Sequence, residues 1–322
     1  MFWKSRVIAE IPHDMASAAG VRTPNGGWEG DRHPLSWRRF AIFSALLVLC
    51  FAKPLFSLVR YAEGSGLYSH ILLVPFISLY LGWMNREKLA LDWGPSARGA
   101  AMGAFFVGCA VLATFWIGAW SGWELAMDDY LGLMLVAFLA FLLSGGFVFL
   151  GRTTLGRLAF PFGFLIFMAP FPTVALSWIE TFLQRYSADA ACAMFTVAGM
   201  PVLPRGTQIR LPGFSLEVAP ECSGIHSTLV LVLTSLLAGY MFLRTPWRRA
   251  ILVVAVVPLA VLRNGFRIFT IGELCVNVSP DMIHSYIHRR GGPIFFAMSM
   301  VPFFLLLFVL RKTERRNNAV MG

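Results

Sequence analysis

One cysteine, two arginines and three histidines lie in or beside apolar runs of this chain, where ionisable groups are expensive and are candidates for function. Cys222 stands in Ala219-Pro220-Glu221-Cys222-Ser223-Gly224-Ile225-His226-Ser227, a polar stretch at the mouth of an apolar run. Arg263 and Arg267 are four residues apart in Arg263-Asn264-Gly265-Phe266-Arg267, a spacing that puts both guanidiniums on one helix face. His284 and His288 come in the next polar loop with Arg289 and Arg290. A thiol attacks through its thiolate, which a nearby guanidinium favours and burial opposes. A neutral imidazole can accept the thiol proton and later return it to a leaving amine. An arginine, which does not deprotonate, suits the oxyanion of an acyl-transfer intermediate. The combination points to covalent acyl transfer at a membrane surface, with no metal and no organic cofactor called for.

The same residue types admit other chemistry. His284 and His288, spaced i and i+4, fit a metal pair, and Cys222 with His226 would complete a four-ligand zinc site for a membrane hydrolase, although the nearby arginines would repel a cation. Arg263 and Arg267 would also suit an anionic substrate in a transporter or assembly component for envelope polysaccharide. His70 reads either as a further lining group of the same cavity or as a structural histidine.

Positioning these groups falls to the apolar runs. Of 322 residues 57% are hydrophobic and 14% charged, against roughly 45–50% and 25% in a soluble globular domain. That composition excludes an ordinary soluble enzyme and a disordered chain. The runs are continuous from Ala41 to Leu310 rather than alternating, which excludes an outer-membrane barrel. Helices remain as the way to cross a bilayer, so the fold class is an all-α polytopic membrane protein. Windows of roughly 20 residues predict a bundle of eight spans near 40–60, 66–84, 99–118, 130–150, 156–173, 224–243, 250–271 and 292–310. The stretch 174–222 is not a clean span, because Glu180, Arg185 and Asp189 interrupt its first half and Pro201, Pro204, Gly206, Pro212 and Gly213 break its second. It reads as an interfacial amphipathic helix, Trp178 to Ala198, and a short extended segment, Gly206 to Leu211. The sixth and seventh spans would form an antiparallel hairpin about residues 244–249. Arg267 would then stand level with His226, one helical turn or roughly 6 Å from Cys222. His288 just precedes the eighth span, so the three groups would meet on one side of the bilayer.

Lysine and arginine set the orientation. Eighteen of the 27 basic residues lie in the arm before residue 40, in the loops near 86–98, 152–157 and 244–249, and after residue 310. The opposite side carries six, and Glu124, Asp128 and Asp129 make one of its loops acidic. Both termini are therefore expected in the cytoplasm and the reactive residues on the outer face. The net charge of +10 is mostly this asymmetry, so nucleic acid is discounted as a partner. The chain divides into a cytoplasmic, mobile arm (1–39), a transmembrane catalytic domain (40–310) and a basic cytoplasmic tail (311–322). No cleavable signal peptide and no second soluble domain are expected. The five cysteines form no close pair; Cys50, Cys109, Cys192 and Cys275 have apolar neighbours, and Cys222 has a polar setting.

Three ordered motifs resemble those of the exosortase/archaeosortase family: Cys222-Ser223-Gly224, Asn264-x-x-Arg267 and His288-x-x-x-Gly292-x-x-x-Phe296. Tyr68-Ser69-His70, the stretch from Pro161 to Pro172, and Gly199-Met200-Pro201-Val202 leading to Gly206 are similar to it as well, so the resemblance covers roughly residues 40–310. It implies a membrane cysteine transpeptidase of the bacterial inner membrane. Its substrates would be exported proteins with a C-terminal tripartite signal: a short motif such as Pro-Glu-Pro, one transmembrane helix and a basic tail. An amine acceptor would receive the processed protein. Carried over residue by residue, Cys222 would be the nucleophile, Arg267 the transition-state stabiliser and His288 the proton-transfer residue. His226, His284, Arg263, Asn264, Ser223 and Gly224 stand beside them as supporting or alternative groups.

Overall fold

The structure is a computed structural model and describes residues 32–85, 96–212, 214–218, 223–279 and 291–321. The described chain is almost entirely helical and divides into two compact units, Met1–Arg60 with Ile71–Ala169, and Tyr61–His70 with Pro170–Gly322.

The first unit contains α1 (Arg32–Cys50), most of α2 (Ala52–Gly64), α3 (Val74–Met84), α4 (Arg98–Trp120), α5 (Met127–Phe149) and the short α6 (Gly151–Arg157) and α7 (Ala159–Phe164). The hairpin of α4 and α5 is its spine. Gly122, at φ 75°, closes α4: Trp123 N–H donates to Gly118 at 3.0 Å and Gly122 N–H to Ala119 at 3.4 Å, the paired bonds of a Schellman motif. Asp128 and Asp129 occupy the first turn of α5, where carboxylates complement the positive helix end. The two helices approach closely because Gly108 faces the Phe141 ring, which a Cβ would meet at 2.9 Å. Buried Ser144 donates to the Ala101 carbonyl at 2.9 Å, spending its hydroxyl inside the pair.

The second unit begins with α8 (Thr173–Val197) and a three-stranded antiparallel meander, β1 (Leu203–Arg205), β2 (Gln208–Leu211) and β3 (Phe214–Glu217). A second Schellman motif ends α8, with Gly199 at φ 78° and Met200 N–H donating to Phe195 at 2.9 Å. The first hairpin pairs Arg205 with Gln208 across a two-residue loop that opens on Gly206, at φ 64°. Alternation then orients the sheet: Ile209, Leu211, Leu216 and Val218 are buried, while Gln208, Arg210, Ser215 and Glu217 are exposed. The buried face packs on Ala188, Ala191 and Phe195 of α8 and on Ile268 of a later helix.

Helices α9 (Ile225–Phe242), α10 (Pro246–Val254), α11 (Val256–Asn277) and α12 (Gly292–Met321) complete this unit. Leu231, Ala238, Leu243, Leu252, Val256, Phe303 and Leu307 form their shared core. Buried Glu314 locks the α9–α10 turn to α12 by accepting the backbone N–H of Arg244 at 3.0 Å, that of Thr245 at 2.7 Å, and the Thr245 hydroxyl. The Arg248 guanidinium lies 4.0 Å from the same carboxylate. A buried charge held by several donors and a counter-ion is the arrangement such a group requires.

The all-α polytopic architecture matches the sequence reading, but the count of eight spans does not carry over. Five helices are long and apolar enough to cross a bilayer, or up to seven if each of two bent pairs is one span. The run predicted at 40–60 is bent by 73° between α1 and α2, where Pro54 in the first turn cannot donate a backbone hydrogen bond. The run predicted at 66–84 opens as a 3-10 turn, Ser69–Leu72, before α3. The run predicted at 156–173 breaks into α7 and a 3-10 turn, Leu165–Met168, ahead of Pro170 and Pro172. The segment read as an interfacial helix is α8, and the single extended segment is one strand of three.

Candidate active site

The site assembles at the start of α9. Gly224 immediately precedes that helix at φ 73°, a conformation that favours glycine. A Cβ there would also stand 3.0 Å from Arg263 Nη2 and 3.1 Å from Asn264 Oδ1, so neither backbone nor space admits a side chain. The carbonyls of the turn are held by α11. Asn264 Nδ2 donates to the Ser223 carbonyl at 3.2 Å, and Arg263 Nη2 donates to the Gly224 carbonyl at 3.2 Å. Ser227 and Thr228 hydroxyls also donate to Gly224, at 3.0 and 2.8 Å. Ser223, Arg263 and Asn264 are 1%, 8% and 2% exposed, so these bonds act where unmade ones would be costly.

Arg263 Nη1 is buried with no hydrogen-bond partner among the described residues. The clamp also corrects the hairpin register. Asn264 stands level with Ser223, so it is the Arg263–Asn264 pair that hydrogen-bonds the start of α9, with Arg267 one turn further along. The expected register assumes a turn at 244–249; the actual turn is Leu243–Thr245, and α10 and α11 follow it as one run interrupted only by a helical-turn residue, Ala255.

Arg267, one turn further along α11, is half-buried and lines a cavity of about 750 Å³. Gly224, Ile225, His226 and Ser227 line it from the amino end of α9, Glu180 from α8, and Gly292, Pro293 and Phe296 from the start of α12. Packing fixes these elements. Leu183 of α8 is buried with Ile225 and Leu229 of α9, and the Phe266 and Phe295 rings stand 6.1 Å apart between α11 and α12. Gly265 brings α11 against α8, since a Cβ there would lie 2.7 Å from Ala190 Cβ. The amino end of an 18-residue helix and the Arg267 guanidinium make this side of the cavity electropositive.

Of the residues singled out from sequence, His226, Arg267 and Gly224 meet at this cavity, while Ser223, Arg263 and Asn264 form the buried clamp beside it. Cys222, His284 and His288 lie outside the described residues. Cys222 adjoins Ser223 in sequence, and His288 precedes the cavity residue Gly292 by four positions. His70 is buried, with Nδ1 3.2 Å from the Leu67 carbonyl and its ring 6.4 Å from that of Tyr68. Among the described residues no three His, Cys, Asp or Glu side chains are grouped as a metal would require. Glu180 is the lining residue that sequence reasoning misses, because it stands there only as an interruption of an interfacial helix. The signal for more is its isolation between Val174 and Phe182, a run with no other charge.

Helices long and apolar enough to span a bilayer, with Arg267 lining a cavity among them, define a multi-pass membrane protein. The family model of the transmembrane exosortases (EpsH) matches residues 61–305, and the chain belongs to that family. No curated protein and no solved structure matches it. Family membership supports a membrane transpeptidase of the kind that processes sorting signals.

Proposed function

We propose that the protein is a membrane cysteine transpeptidase that cleaves C-terminal sorting signals of exported proteins at the outer face of the bacterial inner membrane. The observation that carries this reading is the cavity where Arg267, the amino end of α9 next to Cys222, and the start of α12 next to the His288 loop come together. The Cys222 thiolate adds to the carbonyl at the recognition motif while Arg267 and the α9 amino end stabilise the oxyanion. His288 takes the thiol proton and gives it to the departing amine, which carries away the substrate's helix and basic tail; His226 and His284 are the alternates for that transfer. The thioester left on Cys222 is then resolved by an amine acceptor, or by water. The clamp from Arg263 and Asn264 holds the Ser223 and Gly224 carbonyls, which follow Cys222 in sequence.

Co-expression with a tagged protein bearing a Pro-Glu-Pro-type signal tests this by intact mass. The wild-type chain is expected to remove the helix and tail, and Cys222→Ala to leave the substrate whole. Processing by Cys222→Ala would overturn the reading and leave a hydrolase that does not attack through the thiol, such as the zinc-dependent one, as the standing alternative.

A further inference from the structure

The cavity carries two opposite charges that one reacting group does not need. Arg267 lines it from α11 and Glu180 from α8, and Glu180 is the one carboxylate among the described lining residues. Glu180 is half-buried and, among the described residues, forms no hydrogen bond or ion pair. Its position is fixed rather than incidental. Leu176, Ile179 and Leu183, on the same side of α8, pack with Ile225 and Leu229 at the start of α9. A carboxylate held in a helix stretch with no other charge, facing a cavity and forming no ion pair among the described residues, is suited to a cation brought by a ligand.

Acyl transfer has two such ligands in sequence. The donor carbonyl becomes negative as it is attacked, which suits Arg267 and the helix end. The acceptor amine arrives as an ammonium ion and must shed a proton before its lone pair can react. We infer that Glu180 is the acceptor subsite, binding the ammonium group of a primary amine and taking its first proton; this rests on the transpeptidase reading above. One proton passes from the ammonium to the Glu180 carboxylate and on to solvent. The freed amine attacks the thioester carbonyl of Cys222, the C–N bond forms, and the C–S bond breaks. The second proton leaves the nitrogen for the departing thiolate, which restores the Cys222 thiol.

Two nucleophiles separate this role from a structural one. Ethylamine is an ammonium ion at neutral pH and hydroxylamine is uncharged, so only the first needs a carboxylate. The purified full chain, a donor with a Pro-Glu-Pro-type signal and each nucleophile in turn give amide, hydroxamate or free acid, read by mass. In Glu180→Gln the ratio of amide to hydroxamate is expected to fall about tenfold or more, the loss of one charge-assisted hydrogen bond. Glu180→Asp is expected to restore most of that ratio. An unchanged ratio in Glu180→Gln, including the case in which both products fall together, overturns the assignment. Wild-type chain that yields only free acid with both nucleophiles also overturns it, while Cys222 chemistry stands. Donor cleavage that survives Cys222→Ala overturns the transpeptidase reading, and the subsite with it.

Discussion

At the residue scale, the motif residues separate into those that hold and those that face the cavity. Asn264 Nδ2 and Arg263 Nη2 donate to the carbonyls of Ser223 and Gly224, whereas Arg267 lines the cavity. Asn264→Ala is therefore expected to cost roughly 1–3 kcal/mol, since it leaves a buried carbonyl without its donor. Arg267→Lys keeps the charge and loses the planar fork. It is expected to retain the wild-type melting temperature in detergent and to lower the rate of signal cleavage; equal melting losses in the two variants would contradict the division. The motifs themselves were legible because cysteine, arginine and histidine are conspicuous in apolar sequence. The partner of each was not, because a hydrogen bond across α9 and α11 depends on register. A turn shifted by a few residues brought Arg263 and Asn264 against Gly224 and Ser223, a pairing that the expected spacing did not give. Glu180 was hidden for a related reason: one carboxylate in an amphipathic helix looks like solvated surface until the cavity beside it is known.

At the element scale, α8 and α11 are the pair on which the site rests, and glycine sets their distance. A Cβ at Gly265 would meet Ala190 Cβ at 2.7 Å and the Ser187 carbonyl at 3.2 Å, and Gly272 faces the Phe195 ring. Gly265→Leu is expected to destabilise the second unit by roughly 1–3 kcal/mol, the usual cost of overpacking. Thermal melting in detergent checks this, and processing should fall with it because α11 carries both the clamp and Arg267. Helix type was readable where apolar runs lacked proline, as in α4, α5 and α9. Where prolines entered, at Pro54, Pro161 and Pro170 to Pro172, length alone overestimated continuity. The strand β2 was visible through its turn residues, but β1 and β3 were not, because Pro204 and Gly213 mask short strands in a one-dimensional reading.

At the scale of the whole molecule, composition sufficed for the class of protein and fell short on the number of crossings. Hydropathy measures apolar length, and it registers neither a 73° bend between α1 and α2 nor a helix too short to span. Orientation rests on the concentration of basic residues after residue 310 and in the 244–249 turn. A fluorescent protein fused to the C-terminus is expected to fluoresce and an alkaline phosphatase fused there to stay inactive; the reverse pattern would place the site on the cytoplasmic face. The clamp has a mechanical consequence for a protein living in lipid. Helices tilt when a bilayer thins or thickens. Because the Ser223 and Gly224 carbonyls hang from Arg263 and Asn264, one turn from Arg267, such tilting carries the Ser223–Gly224 turn and the Arg267 guanidinium together as a single lever arm. The spacing between them is thereby insulated from membrane thickness.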